Sequence, residues 1–580
     1  MRIPILSDQA SRVIYAVALG LVVALPMVLV PAAADPYQPG RAVALGLVGL
    51  SAVVAGPVRL PRSLLTTIAL SALASAAVLI VISAIVAQPA SAVFGVHGRF
   101  QGLVSGAAAV VAFAVGAASA PRARVLPRAA ALVLAVQCAV VVWQLAIGES
   151  PTGTMGNQVL VGAWMAVGIA LVAAGARAER GWIATALWSV AALGVLVLGV
   201  VGSRGAWVGL LAAGAVIAGS ARAKVRRTVV IGLVVTVAAG AALGGAASLG
   251  KLDPAALAGG SAAARLAIWS GTAELIADHA IVGIGPGRFL YAFAPYQPAE
   301  HARMERGVRP DQAHSVVLQT AAESGVPAAL AALAFIGVAL FAAVRRLRSA
   351  DGIALIACAG LAAWAGQALF GISTIESDAL AFMLAGVALS RTGSGDRTAD
   401  TPGWPSAGRV GVLALSLALA LTSAYFLSVD ARHERGVRAF FAGEMASAWE
   451  LETSASARNP LVDTYRVGAA DAALYGGGPR SSALALVERG LELEPASYDL
   501  ALARARLLAS MGSGSGAVME AYLRAVERYP RGIEILHETI EVAMRLGHDD
   551  VARDVAARLL QTYPDDVLAR AVAGKVGDGP

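Results

Sequence analysis

The sequence predicts an all-α protein: a polytopic membrane helix bundle of about thirteen spans, followed by a soluble α-helical repeat domain. Three observations carry this. Of 580 residues, 57% are hydrophobic and only 14% are charged, against about 25% charged in soluble domains. The deficit is confined to the chain before about residue 430. Beyond it, prolines recur at Pro460, Pro495, Pro530 and Pro564, at spacings of 35, 35 and 34 residues. The expected domains are therefore 1–429 and 430–580.

Runs of about 17–25 apolar residues are long enough to cross a bilayer. Thirteen occur, at 13–33, 41–56, 64–87, 102–120, 129–147, 158–175, 182–201, 205–220, 228–250, 326–344, 352–370, 378–390 and 410–429. Ala, Val, Leu and Gly dominate them, which suits closely packed membrane helices. Val13–Pro31 ends in Ala32, Ala33 and Ala34, as a cleaved signal peptide would. Its apolar core exceeds the usual 7–15 residues or so, and it reads as an anchor. Cys138 and Cys358 both lie inside apolar runs, so no disulfide framework is implied.

Orientation follows from lysine and arginine in the short loops. If the loops alternate, nineteen such residues fall on one side, and only Arg41, Arg99 and Arg204 on the other. The rule puts the crowded side in the cytoplasm. It therefore places the N-terminus inside, and the long polar loop 251–314 and everything after 429 outside. The net charge of +7 comes largely from these loops and argues for membrane orientation rather than nucleic-acid binding.

In the tail, phrases such as SALALVERGLELEP and AVMEAYLRAVERYP place apolar residues at helical spacing before each proline. A period near 34 with a helix-ending proline resembles tetratricopeptide repeats, with a degenerate first unit. Repeats of this kind bind peptides or proteins, so a protein partner on 430–580 is an expectation.

Chemistry has few places to live outside loop 251–314 and the segment that follows it. Arg204 opens a span in GSRGAWVGLL, between Gly202 and Gly205, against the prevailing charge bias. It is an interfacial anchor or an anion ligand; a charge at the membrane edge is a functional candidate. Arg265 and Trp269 lie four apart, on one helical face. That pair anchors the loop at the interface, or its guanidinium offers a planar fork for a diphosphate. Gly283-Ile-Gly-Pro-Gly287 opens no βαβ unit, so it is a tight turn shaping a pocket floor, not a nucleotide fingerprint. His314 ends the loop, where a neutral imidazole can accept a proton. His279 and His301 share the loop. Glu376 and Asp378 are the rival carboxylates. No HExxH or Cys/His ligand spacing appears, so no metal and no cofactor are expected.

The order SRG at a span mouth, R-x-x-x-W, GIGPGRF and AHSxxLQxxxESG resembles the O-antigen ligase and O-antigen polymerase superfamily over about residues 200–345. The resemblance implies a GT-C-like, metal-independent glycosyltransferase in the cytoplasmic (inner) membrane. It would move a glycan from a polyprenyl diphosphate carrier to an acceptor hydroxyl on the outer face. It implies diphosphate binding by Arg204 and Arg265 and a catalytic role for His314. Trp269, Gly285, Gly287 and Arg288 join the substrate-binding set. The chain departs from the pattern at Ser315, where Asn is common, and in its extra span and repeats. Ligation, polymerisation of a surface polysaccharide and protein O-oligosaccharyl transfer all use these parts. A polyprenyl-linked glycan flippase would need a polar midplane path, which nearly charge-free spans do not offer. A repeat scaffold would need one or a few spans, not thirteen.

Overall fold

The computed structural model describes residues 7–56, 60, 61, 63–87, 89–221, 261–347, 351–390 and 406–574. Among them there is no strand. Eight expected spans fall on α1 (Asp8–Val23), α2 (Gln38–Ala55), α3 (Leu64–Ala87), α4 (Leu103–Ser119), α5 (Leu126–Ala146), α6 (Gln158–Ala178), α7 (Gly181–Val201) and α8 (Arg204–Gly219). The long loop carries α9 (Ser261–Asp278) and two short helices, Phe289–Phe293 and Ala299–Met304, and α10 (Val316–Ser324) follows it. The remaining described spans are α11 (Val326–Leu347), α12 (Gly352–Ala368), α13 (Ile375–Leu389) and α14 (Ser406–Phe441). The span expected at 228–250 and the start of the loop at Lys251 lie outside the described residues. Seven described stretches are long and apolar enough to cross a membrane, α4 and α5 counting as one, and three shorter apolar helices accompany them.

Two expected boundaries move. The first span begins at Asp8, where the Ser7 hydroxyl accepts the Ala10 N–H, and ends at Val23 rather than 33. Pro26 cannot continue a helix, so Leu25–Met27 tighten into a single turn. The last span does not stop at 429: α14 runs 36 residues, roughly 54 Å at 1.5 Å per residue. It carries the chain from the bundle into the repeats without a break.

Small residues set how closely the spans approach, as expected where lipid offers no hydrophobic drive between helices. A Cβ on Gly116 of α4 would run into the Met383 carbonyl of α13, and one on Gly386 into the Phe113 carbonyl of α4. Gly209 of α8 lies likewise against Ala363 of α12, and Gly46 of α2 against Ser416 of α14. Helix α6 is almost wholly enclosed at the centre, packed on α5, α7, α8 and α12.

The loops gather at two ends. At one, Arg128 pairs with Glu179, while Arg177, Arg346 and Arg409 donate to the carbonyls of Ser220, Ala388 and Val54. At the other, Gln38 accepts the Ile375 N–H, and Arg41 donates to the Thr154 carbonyl. Arg99 meets Asp311 there as well. The second end carries the three sparse arginines, the long loop and the repeats. It is the end the charge bias predicts to be outside.

The tail forms helix pairs: α15 (Met445–Arg458) with α16 (Thr464–Gly476), α17 (Arg480–Leu493) with α18 (Tyr498–Ser510), α19 (Ser515–Arg528) with α20 (Ile533–Leu546), and α21 (Asp549–Thr562) with α22 (Val567–Gly574). Each periodic proline sits two residues past the first helix of its pair, where proline ends a helix. The first pair is as regular as the others, so its degeneracy is one of sequence only. The array stacks into shared apolar cores containing Val487, Leu500, Tyr522 and Leu559.

Candidate active site

Helix α8 begins at Arg204, and its first turn packs Gly205 against Gln367 and Phe370. Helix α9 lays Arg265, Leu266 and Trp269 beside it. Together with Val208, Ala262 and Phe370 they line a groove of about 310 Å³. Its walls are apolar and Leu266 is exposed. Its two charged groups are the guanidiniums, close enough that Arg204 joins burial in lowering the Arg265 pKa. Among the described residues neither arginine has a carboxylate partner. Of the three sparse arginines, Arg41 lies 2.8 Å from Glu376 in a fully buried pair, not aligned as a hydrogen bond, and Arg99 pairs with Asp311. Arg204 alone of the three is left without a carboxylate among the described residues. Two cations held apart from carboxylates beside an apolar trough suit an amphiphilic anion.

The segment from Asp311 to His314 is pinned residue by residue. Asp311 accepts from Arg99 at 2.6 Å. Gln312 donates to Gln101 at 2.9 Å. The Trp269 indole donates to the Ala313 carbonyl at 2.8 Å, and the Ala313 N–H goes to Gln319 at 2.7 Å. Trp269 also lies against Phe370, with ring centroids 5.8 Å apart. His314 follows with φ of +50°, a left-handed conformation that non-glycine residues rarely adopt. Such strain persists where the surroundings over-determine it. Ser315 then caps α10, its Oγ accepting the Leu318 N–H, the role an Asn would also fill.

His314 Nδ1 is buried with no hydrogen-bond partner. Burial lowers its pKa to about 4, and Arg265 pushes the same way against Asp311. The ring is therefore neutral at neutral pH and has an open nitrogen. His279 is exposed, with its ring on the Leu275 carbonyl, and His301 is buried against Gln297. The rival carboxylates are occupied: Glu376 lies beside Arg41, and Asp378 accepts from Ser373, Ser377 and Trp364.

The structure does not bring Gly285, Gly287 and Arg288 to the groove. Gly285 N–H donates to the Glu323 carbonyl at 2.8 Å, and a Cβ on Gly287 would strike Gly95. Both have positive φ. Arg288 is engaged with Glu494 of the repeats at 2.9 and 2.6 Å and with the Ile284 carbonyl. Glu323, which sequence reasoning passed over, holds this turn: its carboxyl takes the N–H groups of Gly287 and Phe289 and the Gln319 amide. Burial pushes its pKa up to about 7. Its only sequence signal is the ESG at the end of the motif, which gives no hint of the turn it supports.

These residues can be set against known proteins. Residues 190–333 match the O-antigen ligase family model. The matched stretch contains Arg204, Arg265, Trp269, Gly285, Gly287, Arg288 and His314 and ends inside α11. The resemblance drawn from the motifs therefore holds, and the chain carries a region similar to the O-antigen ligase family in a multi-pass bundle, with the repeats outside the match. The ligase-type match supports a membrane glycosyltransferase with a lipid-linked glycan donor and a glycan acceptor in general terms. The crystal structure of a thermophilic TPR protein from Thermus thermophilus is 20% identical, covers 29% of this chain and 92% of that one, and has a TM-score of 0.23. No curated protein matches the chain. Among the described residues no group of three or more His, Cys, Asp or Glu side chains is arranged to hold a metal.

Proposed function

We propose that this protein moves a glycan from a polyprenyl diphosphate carrier to an acceptor hydroxyl at the outer face of the cytoplasmic membrane, as a surface polysaccharide ligase or polymerase. The observation that carries the reading is the apolar groove with Arg204 and Arg265 in its wall and the neutral His314 beside it. The groove takes the first isoprene units, and the guanidinium forks take the diphosphate. Charge that builds on the departing diphosphate is stabilised by fixed cations, a form of preorganised electrostatics.

His314 accepts or orients the acceptor proton. With a pKa of about 4 it is a weak base in the empty enzyme, since a base works best near the operating pH. Donor binding corrects this: the diphosphate offsets the Arg265 charge that depresses the imidazole and raises its basicity when it is needed. Attack from the face opposite the diphosphate inverts the anomeric centre. The reaction needs no cofactor in this scheme.

The test is a purified, donor-loaded transfer assay. His314→Ala should lose about 10²–10⁴-fold in rate, keep donor binding, and respond no differently to added chelator. Arg265→Ala should lose donor binding. Near-normal transfer by His314→Ala, beside an inactive Asp378→Asn or Glu376→Gln, would move the centre to the 371–378 loop.

A further inference from the structure

A second cavity is bounded by Arg99 and Gln101, two residues that hold the 311–314 segment. It holds about 180 Å³, and Asp35, Tyr37, Arg99, Gln101, Asn157 and Ser373 are among its lining. Four separate site-end loops contribute these residues, and none belongs to the stretch that matches the ligase family. Its wall is continuous with the active centre: Arg99 and Gln101 are the residues that pin Asp311 and Gln312, and Arg99 lies close enough to His314 to affect its charge.

The lining is chemically unlike the groove. Arg99 is neutralised by Asp311, so no spare cation faces the space, and a phosphate or carboxylate ligand would meet Asp35 instead. Asp35 is 4% exposed. Its Oδ1 accepts the N–H groups of Tyr37 and Gln38 at 3.0 and 3.1 Å, while Oδ2 is buried with no partner. A buried carboxylate oxygen without a donor is costly and calls for explanation. Asn157 uses its Oδ1 to cap α6 at 2.7 Å, leaving its amino group for a ligand. Tyr37 adds an aromatic surface. An unpaired acceptor, an amide donor and a ring, with no net positive charge, suit a neutral polyol with one apolar face.

Resting on the glycan-transfer reading above, we infer that this cavity is the acceptor subsite and takes a neutral sugar residue of the acceptor glycan. Asp35 Oδ2 is closed in the empty cavity, and a sugar hydroxyl entering beside Asn157 turns the side chain to donate to it; the sugar ring lies against the face of Tyr37 opposite Arg41, and the hydroxyl to be glycosylated reaches past Arg99 to His314. Donor and acceptor thus approach the histidine from two different cavities.

The test uses the purified full chain and two probes, undecaprenyl diphosphate and an array of neutral and acidic oligosaccharides. Asp35→Asn should weaken retention of neutral glycans by at least about tenfold, the worth of one hydrogen bond to a charged group, and Tyr37→Leu by roughly three- to tenfold, the worth of ring packing. Both should keep undecaprenyl diphosphate affinity within about twofold, and Arg265→Gln should show the reverse pattern. The inference is overturned if both cavity variants retain neutral glycans like the parent, if the parent prefers acidic glycans or retains none, or if the cavity variants lose both probes together. Failure of the parent to bind undecaprenyl diphosphate while glycans depend on Asp35 would instead overturn the donor assignment and leave the cavity assigned.

Discussion

Arg288 and Glu494 offer the sharpest test of how the repeats act on the long loop. Their side chains are 10% and 5% exposed, and the pair is bidentate, at 2.9 and 2.6 Å. Removing one partner leaves an uncompensated buried charge, which costs about 3–5 kcal/mol. At 1.4 kcal/mol per decade, local opening around the pair should become roughly 10²- to 4 × 10³-fold more frequent. Amide hydrogen exchange on the full chain reads this directly, because it reports sub-global opening segment by segment. In Arg288→Ala and in Glu494→Ala, peptides covering 288–296 and 494–502 should exchange faster by that factor, while the enclosed α6 stays protected. Combining Arg288→Met with Glu494→Leu should restore most of the protection, since apolar replacement of a whole buried pair is often neutral. Exchange unchanged within about threefold in both single variants would show that the pair holds nothing together, and the loop would have to be positioned by other contacts.

Three further outcomes are expected. Arg204→Lys and Arg265→Lys should each weaken undecaprenyl diphosphate binding, because an ammonium keeps the charge and loses the bidentate fork; wild-type affinity in both would make these residues interfacial anchors. His314 must be neutral to act, and its pKa is about 4, so the acid limb of kcat/KM, which reports the free enzyme, should lie near 4. Arg265 lowers that value, so Arg265→Gln should move the limb upward toward the ordinary 6.5 or so, and a limb that stays put would separate the two residues. An impermeant thiol reagent should label cysteines introduced at Ala299 and Gly514 in intact cells, as the charge bias requires; labelling only after permeabilisation would invert the topology.

The bundle was legible because its signal is local. Apolar length and loop charge each act over about twenty residues, and every expected span in the described part lies on a helix. The ends were less legible where one residue decides: Pro26 cuts the first span short. The repeat period was legible for the same reason, since each proline acts on the helix just before it. In the site, Arg204, Arg265 and Trp269 line one groove, and His314 lies near enough to Arg265 to feel its charge. Arg288 does not join them, because its partner is 206 positions away, and no spacing rule sees that far. The Glu376 carboxylate looked available in sequence because its partner Arg41 sits more than three hundred positions away, at the start of α2. The Asp35 cavity was invisible on the same grounds: its four loops are strangers in sequence.

The long loop and the tail meet in steps. Tyr291 donates to Asp463, Arg288 pairs with Glu494, and Arg309 pairs with Asp499. Arg531 donates to the Gln297 carbonyl and Tyr563 to the Ala302 carbonyl. On the tail side these contacts fall near the turn after the first helix of each successive pair, so one stretch of loop, 288–309, touches all four units. This makes the array a ruler cut to the length of its own ligand. A solenoid usually tolerates gain or loss of a unit, because each unit touches only its neighbours. Here a unit inserted or deleted would throw every later contact out of step with the loop. The number of repeats is therefore tied to the reach of the long loop, and this edge is already taken when any other protein arrives.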